Sequence, residues 1–164
     1  MKGVFLFMKF LHVDSVLNLM RLGLWKARGL TIGSGSYINT HVVIKRAEHV
    51  VVGECVVINE FVHIWGGGGV DIGDNVLIAS HCVITSQTHA IKGELYRTNV
   101  QAKPIKLGDN VWLGAGVIIL PGVEVGNNSV VGAGSVVTRN VPNNCVVAGV
   151  PAIVKRYIDG EKLS

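Results

Sequence analysis

The chain has 164 residues and a net charge of +4; it is 49% hydrophobic, yet only 6% aromatic and 16% charged. That length suits one domain with a sizeable core, and the absence of any lysine or arginine run with interleaved aromatics argues against a nucleic-acid binder. A mild positive balance suits an anionic small molecule instead. With so few aromatics, the core must be filled by Val and Ile, whose branched Cβ favours extended backbone, and 21 glycines point to frequent tight corners. The composition therefore predicts an all-β chain of very short strands. Cys55, Cys82 and Cys145 form an odd set without CxxC spacing, which predicts reduced, buried thiols of a cytoplasmic protein rather than a disulfide framework or a zinc site.

Taken in chain order, Val4-Phe5-Leu6-Phe7-Met8 is apolar but ends at Lys9. It is too short to span a bilayer and lacks a small-residue cleavage site. From Phe10 to Leu24 the residues Leu11, Val16, Leu17, Leu19, Met20 and Leu24 form a helical stripe, with Arg21, Lys26 and Arg28 nearby. Two readings stay open: a helical cap (residues 1–29) closing one end of the β domain, or a helix resting on the inner membrane face through residues 1–28.

From about residue 30 a six-residue period takes over. Aliphatic residues recur at Ile32, Ile38 and Ile44, at Val52, Ile58 and Ile64, and at Ile72, Ile78 and Ile84. The same spacing runs from Leu107 through Leu113, Ile119, Val125 and Val131 to Val137. Four positions after the last six stand Val111, Val117, Val123, Ser129, Ser135 and Val141. A strand of a few residues plus a corner fits six residues. Three such units make a triangular coil, and stacked coils bury the aliphatic column in a solenoid stabilised by its neighbours.

The breaks in register follow Ile44, Ile64 and Ile84, always the third unit of a coil, so all three insertions leave the prism at one corner. The first two, around Glu48 and through Gly66-Gly67-Gly68-Gly69, are short; the third, over residues 90–106, is long enough to project and cover a neighbouring surface. His89 ends the unit that begins at Ile84 and so stands where that loop departs.

The blocks Ile72-Gly73-Asp74-Asn75-Val76, Leu107-Gly108-Asp109-Asn110-Val111-Trp112-Leu113-Gly114 and Gly132-Ala133-Gly134-Ser135-Val136-Val137-Thr138 resemble the hexapeptide-repeat acyltransferases. So do Ser86-Gln87-Thr88-His89 before a projecting loop and the tail Val146-Val147-Ala148-Gly149-Val150-Pro151-Ala152. The nearest likeness is to the galactoside, maltose, nodulation-factor and colanic-acid O-acetyltransferases, and it covers residues 30–157, leaving 158–164 as a tail. The resemblance implies a left-handed parallel β-helix, an exception to the right-handed crossover rule. It also implies acetyl-CoA as co-substrate with no metal, and a homotrimer with active sites between subunits.

The resemblance further makes His89 the catalytic base. A sugar hydroxyl is too weakly acidic to attack a thioester unaided, so a base must take its proton as the bond forms, while backbone N–H donors stabilise the oxyanion. Asn59 matches an acceptor-binding asparagine, but Gly67 stands where the family has an acceptor-binding aspartate, so the family's sugar preference does not carry over. The cofactor side falls on Trp112, Ala115, Ala133, Thr138, Arg139 and Arg156. Ile153 replaces a second basic residue, which leaves Lys155 to substitute. The implied acceptor is a small-molecule sugar, and the basic, apolar N-terminal helix suggests a lipid-linked sugar of surface-polysaccharide synthesis handled at the inner membrane face; the alternative is N-acetylation of an amino sugar or acetylation of an amino acid such as serine.

Two other readings of the fold are weaker. A γ-class carbonic anhydrase would need zinc-binding histidines at a short fixed spacing, which His12, His41, His49, His63, His81 and His89 do not provide. A non-enzymatic solenoid would have little use for a long loop beside a corner histidine. A cysteine acyl relay is also disfavoured, because Cys82 falls on a core position and a buried thiol is a poor nucleophile.

Overall fold

The structure, a computed structural model, describes residues 16–91 and 95–158. From Thr31 onward the chain winds through short strands that stack into three parallel sheets, the faces of a triangular prism. The first face is built from Thr31–Ile32, Val50–Val52, Val70–Ile72, Ile105–Leu107 and Glu124–Val125. The second begins at Tyr37–Ile38 and descends through Val57–Ile58, Leu77–Ile78, Trp112–Leu113 and Val130–Val131 to Cys145–Gly149. The third stacks Val43–Lys45, His63–Trp65, Val83–Thr85, Ile118–Ile119 and Val136–Val137.

Register is in step from coil to coil: Ile38, Ile58 and Ile78 are successive partners on the second face, as are Ile44, Ile64 and Ile84 on the third. The aliphatic columns expected from the six-residue period are buried along the axis, and so are Ser129 and Ser135 at the second periodic position. Ser129 Oγ donates to the Pro142 carbonyl at 2.7 Å and Ser135 Oγ to the Gly132 carbonyl at 2.6 Å, which satisfies hydroxyls that would be costly to bury unpaired.

The corners need left-handed backbone, and the chain meets that need column by column. Between the first and second faces stand Cys55, Asn75, Asn110, Asn128 and Asn144, all at φ between 54° and 57°. Asparagine tolerates this region because its short amide bonds locally; here Asn110 donates to Asn128 and Asn128 to Asn144, both at 3.0 Å. Cys55 takes the same corner position and is exposed, which corrects the expectation of three buried thiols; Cys82 and Cys145 are buried.

The N-terminal helix, residues 16–27, lies over the open end of the second face. Its orientation reverses the expected stripe: Val16, Leu17, Leu19, Met20 and Leu24 are exposed, while Asn18 is buried and Leu22 and Trp25 pack on the core. The reason is hydrogen bonding. Tyr37–Ile38 is the edge strand, and the Asn18 amide accepts from Ile38 N–H at 3.1 Å and donates to the Ser36 carbonyl at 3.4 Å. An open ladder end requires a polar partner. The expected part of this helix before residue 16 lies outside the described residues. At the other end, Ala152–Tyr157 pairs antiparallel with Cys145–Gly149.

Candidate active site

All three insertions leave the edge between the third and first faces. The first forms a single helical turn, Ala47–His49; the second is the run Gly66–Gly69. The third is a β-arm in which Gln87–His89 pairs antiparallel with Val100–Ala102. The arm differs at both ends from the loop expected over 90–106: pairing begins at Gln87, and Ile105 and Lys106 are already back in the first face beside Val70 and Asp71.

The arm is anchored through Ser86. Its buried hydroxyl donates to the Trp65 carbonyl at 2.6 Å and accepts from Gly68 N–H at 2.8 Å, and its carbonyl accepts from Lys103 N–H at 2.9 Å. Gly68 lets the two backbones approach this closely: a Cβ there would lie 2.6 Å from the Ser86 oxygen and 2.8 Å from the Lys103 nitrogen. Gly67 is bare for another reason, since a Cβ on it would overlap the Gln87 side-chain amide. The Thr85 hydroxyl holds the start of the arm by donating to the Gln87 carbonyl at 2.8 Å.

His89 sits at the end of this rigid strand. Its Nδ1 lies 2.6 Å from the Tyr96 carbonyl. A carbonyl only accepts, so Nδ1 carries the proton and Nε2 keeps its lone pair. His89 with Thr88, Ala90, Ile91 and Gln101 lines a cleft of about 540 Å3. The arm itself turns apolar groups to solvent, Ile91 being 88% and Tyr96 63% exposed.

The other expected site residues do not gather around His89 within one chain. Asn59 follows Val57–Ile58 at the edge between the second and third faces, where it accepts from the Asn39 amide at 3.2 Å and donates to the Ile78 carbonyl at 3.0 Å. Ala115 and Ala133 are exposed along that same edge, in the fourth and fifth coils from the capped end. Trp112 is 50% exposed on the second face, opposite the edge that carries His89. Arg156 lies on the terminal strand of that face, where a register shift between Val146 and Val147 leaves both Lys155 and Arg156 exposed. Thr138 and Arg139 alone share the edge of His89, following Val136–Val137.

The reading from sequence missed the Tyr96 carbonyl, the Ser86–Gly68 anchor and the Gln87 amide over Gly67. None has a sequence signal: each depends on where an arm of irregular length returns. His41 and His81 stack on either side of Phe61 at centroid distances of 4.9 and 5.0 Å, and among the described residues no three His, Cys, Asp or Glu side chains come together as metal ligands. Burial pushes the Cys82 thiol up, and its Sγ donates to the Gly114 carbonyl at 3.1 Å.

A prism of hexapeptide coils with an arm projecting beside a corner histidine defines a class. The chain belongs to the hexapeptide-repeat acetyltransferase family. Residues 104–139 match the bacterial transferase hexapeptide (six repeats) family. A hexapeptide-repeat acetyltransferase from Vibrio cholerae superposes with a TM-score of 0.82 at 30% identity, covering 87% of this chain and 81% of that one. The same protein is known in complex with acetyl coenzyme A. A galactoside acetyltransferase bound to coenzyme A superposes with a TM-score of 0.81 at 38% identity, over 85% of this chain and 70% of that one. The galactoside O-acetyltransferase of Lactococcus lactis is 58% identical over 57 residues, which is 35% of this chain and 28% of that protein. That of Escherichia coli is 57% identical over 56 residues, again 28% of its length, so this chain matches less than a third of either curated relative. The fold is the left-handed β-helix that the sequence resemblance implies.

Proposed function

We propose that the protein is an acetyl-CoA-dependent O-acetyltransferase that modifies a sugar or surface-polysaccharide precursor by direct transfer, with His89 as general base. The observation that carries this reading is the His89–Tyr96 hydrogen bond. It leaves Nε2 as the free acceptor on a rigid strand, in a fold whose relatives bind coenzyme A. Nε2 takes the proton of the acceptor hydroxyl as the hydroxyl oxygen attacks the thioester carbonyl, and the imidazolium that forms is stabilised through Nδ1–H by the Tyr96 carbonyl; collapse of the tetrahedral intermediate breaks the C–S bond, and the departing CoA thiolate takes the proton back from Nε2. Direct transfer is favoured over a thiol relay because Cys82 and Cys145 are buried, and the exposed Cys55 stands on the edge between the first and second faces rather than on the edge of His89.

The working unit in this reading is a homotrimer. His89, Thr138 and Arg139 stand on one edge of the prism, while Asn59, Ala115 and Ala133 stand on another and Trp112 and Arg156 on the face between. Only a neighbouring copy brings the two sets together, and the apolar surface of the arm gives that copy something to bury. The exposed Val16, Leu17, Leu19, Met20 and Leu24, beside Lys26, support peripheral contact with an anionic membrane at the inner face. Among the described residues no helix is long and apolar enough to cross a bilayer.

The test is acetyl-CoA consumption against a panel of sugars and nucleotide sugars, wild type beside His89→Ala. General-base loss lowers kcat by about 10²–10⁴-fold; undiminished activity in the variant removes His89 from the chemistry. Leu19→Ser with Leu24→Ser, which spares the Asn18 cap, abolishes co-sedimentation with anionic vesicles if the helix is the contact.

A further inference from the structure

A second cleft, of about 700 Å3, opens on the third face beside the helix. Its lining brings two indoles, Trp25 and Trp65, together with Arg28, Lys45 and Gln87. Lys45, Trp65 and Thr85 are successive partners in register, so their side chains form one outward row that leads down to the start of the arm. Trp65 is 42% exposed on that row. Arg28 lies over the Trp25 ring at 5.1 Å, a stack that fixes its guanidinium at the rim.

The charge balance of the cleft is lopsided. Arg46 is taken up by Glu48 at 2.7 Å, and a backbone hydrogen bond, outweighing partial burial and aided by Arg46, holds the Glu48 carboxyl below its usual range. Arg28 and Lys45 remain, with no second carboxylate among the described residues of the lining to meet them. At the far end the Gln87 amide fills the space that any side chain on Gly67 would need, so the group nearest the arm is neutral. Gln87 and His89 point to the same side of their strand, two residues or roughly 7 Å apart, close to the span of one sugar ring.

We propose that this cleft binds the acceptor as a sugar carrying an anionic phosphate: Arg28 and Lys45 hold the phosphate, Trp65 packs against the ring, and Gln87 reads a hydroxyl and directs it to His89. A neutral sugar would leave the two cations without partners, whereas a phosphate offers each a charge-assisted bond. The assignment rests on the acetyl-transfer reading of His89 and names its substrate class. The phosphate could belong to a free sugar phosphate or to the diphosphate of a carrier-linked sugar.

Calorimetry on the full chain tests it, using glucose, galactose and N-acetylglucosamine 1-phosphates, each beside its free sugar, with UDP-N-acetylglucosamine and inorganic phosphate as further arms. At least one phosphosugar binds tenfold or more tightly than its free sugar and than inorganic phosphate; tighter binding of UDP-N-acetylglucosamine assigns the phosphate to a carrier. Lys45→Gln with Arg28→Gln abolishes the preference for phosphate, and Trp65→Leu weakens the phosphosugar without weakening inorganic phosphate, both variants keeping the wild-type circular dichroism. Equal affinity for free and phosphorylated sugars, a preference that survives the double substitution, or silence from every phosphosugar overturns the assignment. Coenzyme A titrated into the same samples separates the two readings. Its failure to bind removes the acetyl-transfer reading, whereas its binding without any phosphate preference removes only the anionic acceptor.

Discussion

Shortening the arm tests whether the Tyr96 carbonyl positions the base. Ala90 N–H donates to the Asn99 carbonyl at 2.8 Å, so replacing residues 91–98 by Asn-Gly closes Gln87–His89 onto Val100–Ala102 as a two-residue hairpin. The variant keeps His89 and its strand but loses the 2.6 Å bond at Nδ1. A hydrogen bond to a group that becomes charged contributes about 1.5–3 kcal/mol. At about 1.4 kcal/mol per decade this predicts a kcat lowered about ten- to a hundredfold. The loss is smaller than that of His89→Ala, because the shortened enzyme retains a base that must find its tautomer and rotamer unaided. The assay follows loss of thioester absorbance at saturating acetyl-CoA and acceptor, beside His89→Ala, with circular dichroism as the folding control. A kcat within threefold of wild type in the shortened chain would refute the positioning role.

Further outcomes follow from the same geometry. Ile78→Ala, at a fully buried position of the second face, destabilises the fold by about 2–5 kcal/mol in thermal or denaturant unfolding. Gly68→Ala forces its Cβ against the Ser86 and Lys103 backbones and lowers both kcat and the melting temperature; Gly134→Ala, at φ +69 with open space around it, costs only about 1–2 kcal/mol of backbone strain and spares kcat. Burial holds the Cys82 and Cys145 thiols above their ordinary range, so at pH 8 an aromatic disulfide reagent titrates Cys55 rapidly and the other two only after denaturation. Co-expressing His89→Ala chains with Ala133→Trp chains restores part of the activity that each homomer lacks, and no restoration argues against sites shared between copies.

The coils were legible because a solenoid repeats one decision: each aliphatic at the six-residue period is buried for the same reason as its neighbour above, so counting suffices. The edge of His89 was legible from the same counting, since insertions can leave only at corners. What counting could not reach depends on how the repeat is interrupted. Cys55 is exposed because its position is a left-handed corner, and a pattern of apolar residues carries no information about φ. The helix presents Asn18 rather than Leu19 to the prism because an unpaired edge strand needs amide partners more than it needs another leucine. Gln87 lies over Gly67 through a side-chain direction set by the arm, and the arm's own ends were misjudged because Ile105 and Lys106 already pair in the first face.

The Asn18 contact also sets a limit on assembly. A stack of identical coils has no intrinsic length, for its last rung presents the same template as every rung before it. Here the Asn18 amide occupies that template on the second face at one end, and the antiparallel Ala152–Tyr157 strand occupies it on the same face at the other. Asn18→Leu keeps the helix's volume but frees the Ser36 and Ile38 backbone, and such chains join end to end into filaments visible by light scattering. The number of coils is thus a property of the two terminators rather than of the repeat, and a whole additional coil inserted between them would lengthen the prism without opening it to polymerisation.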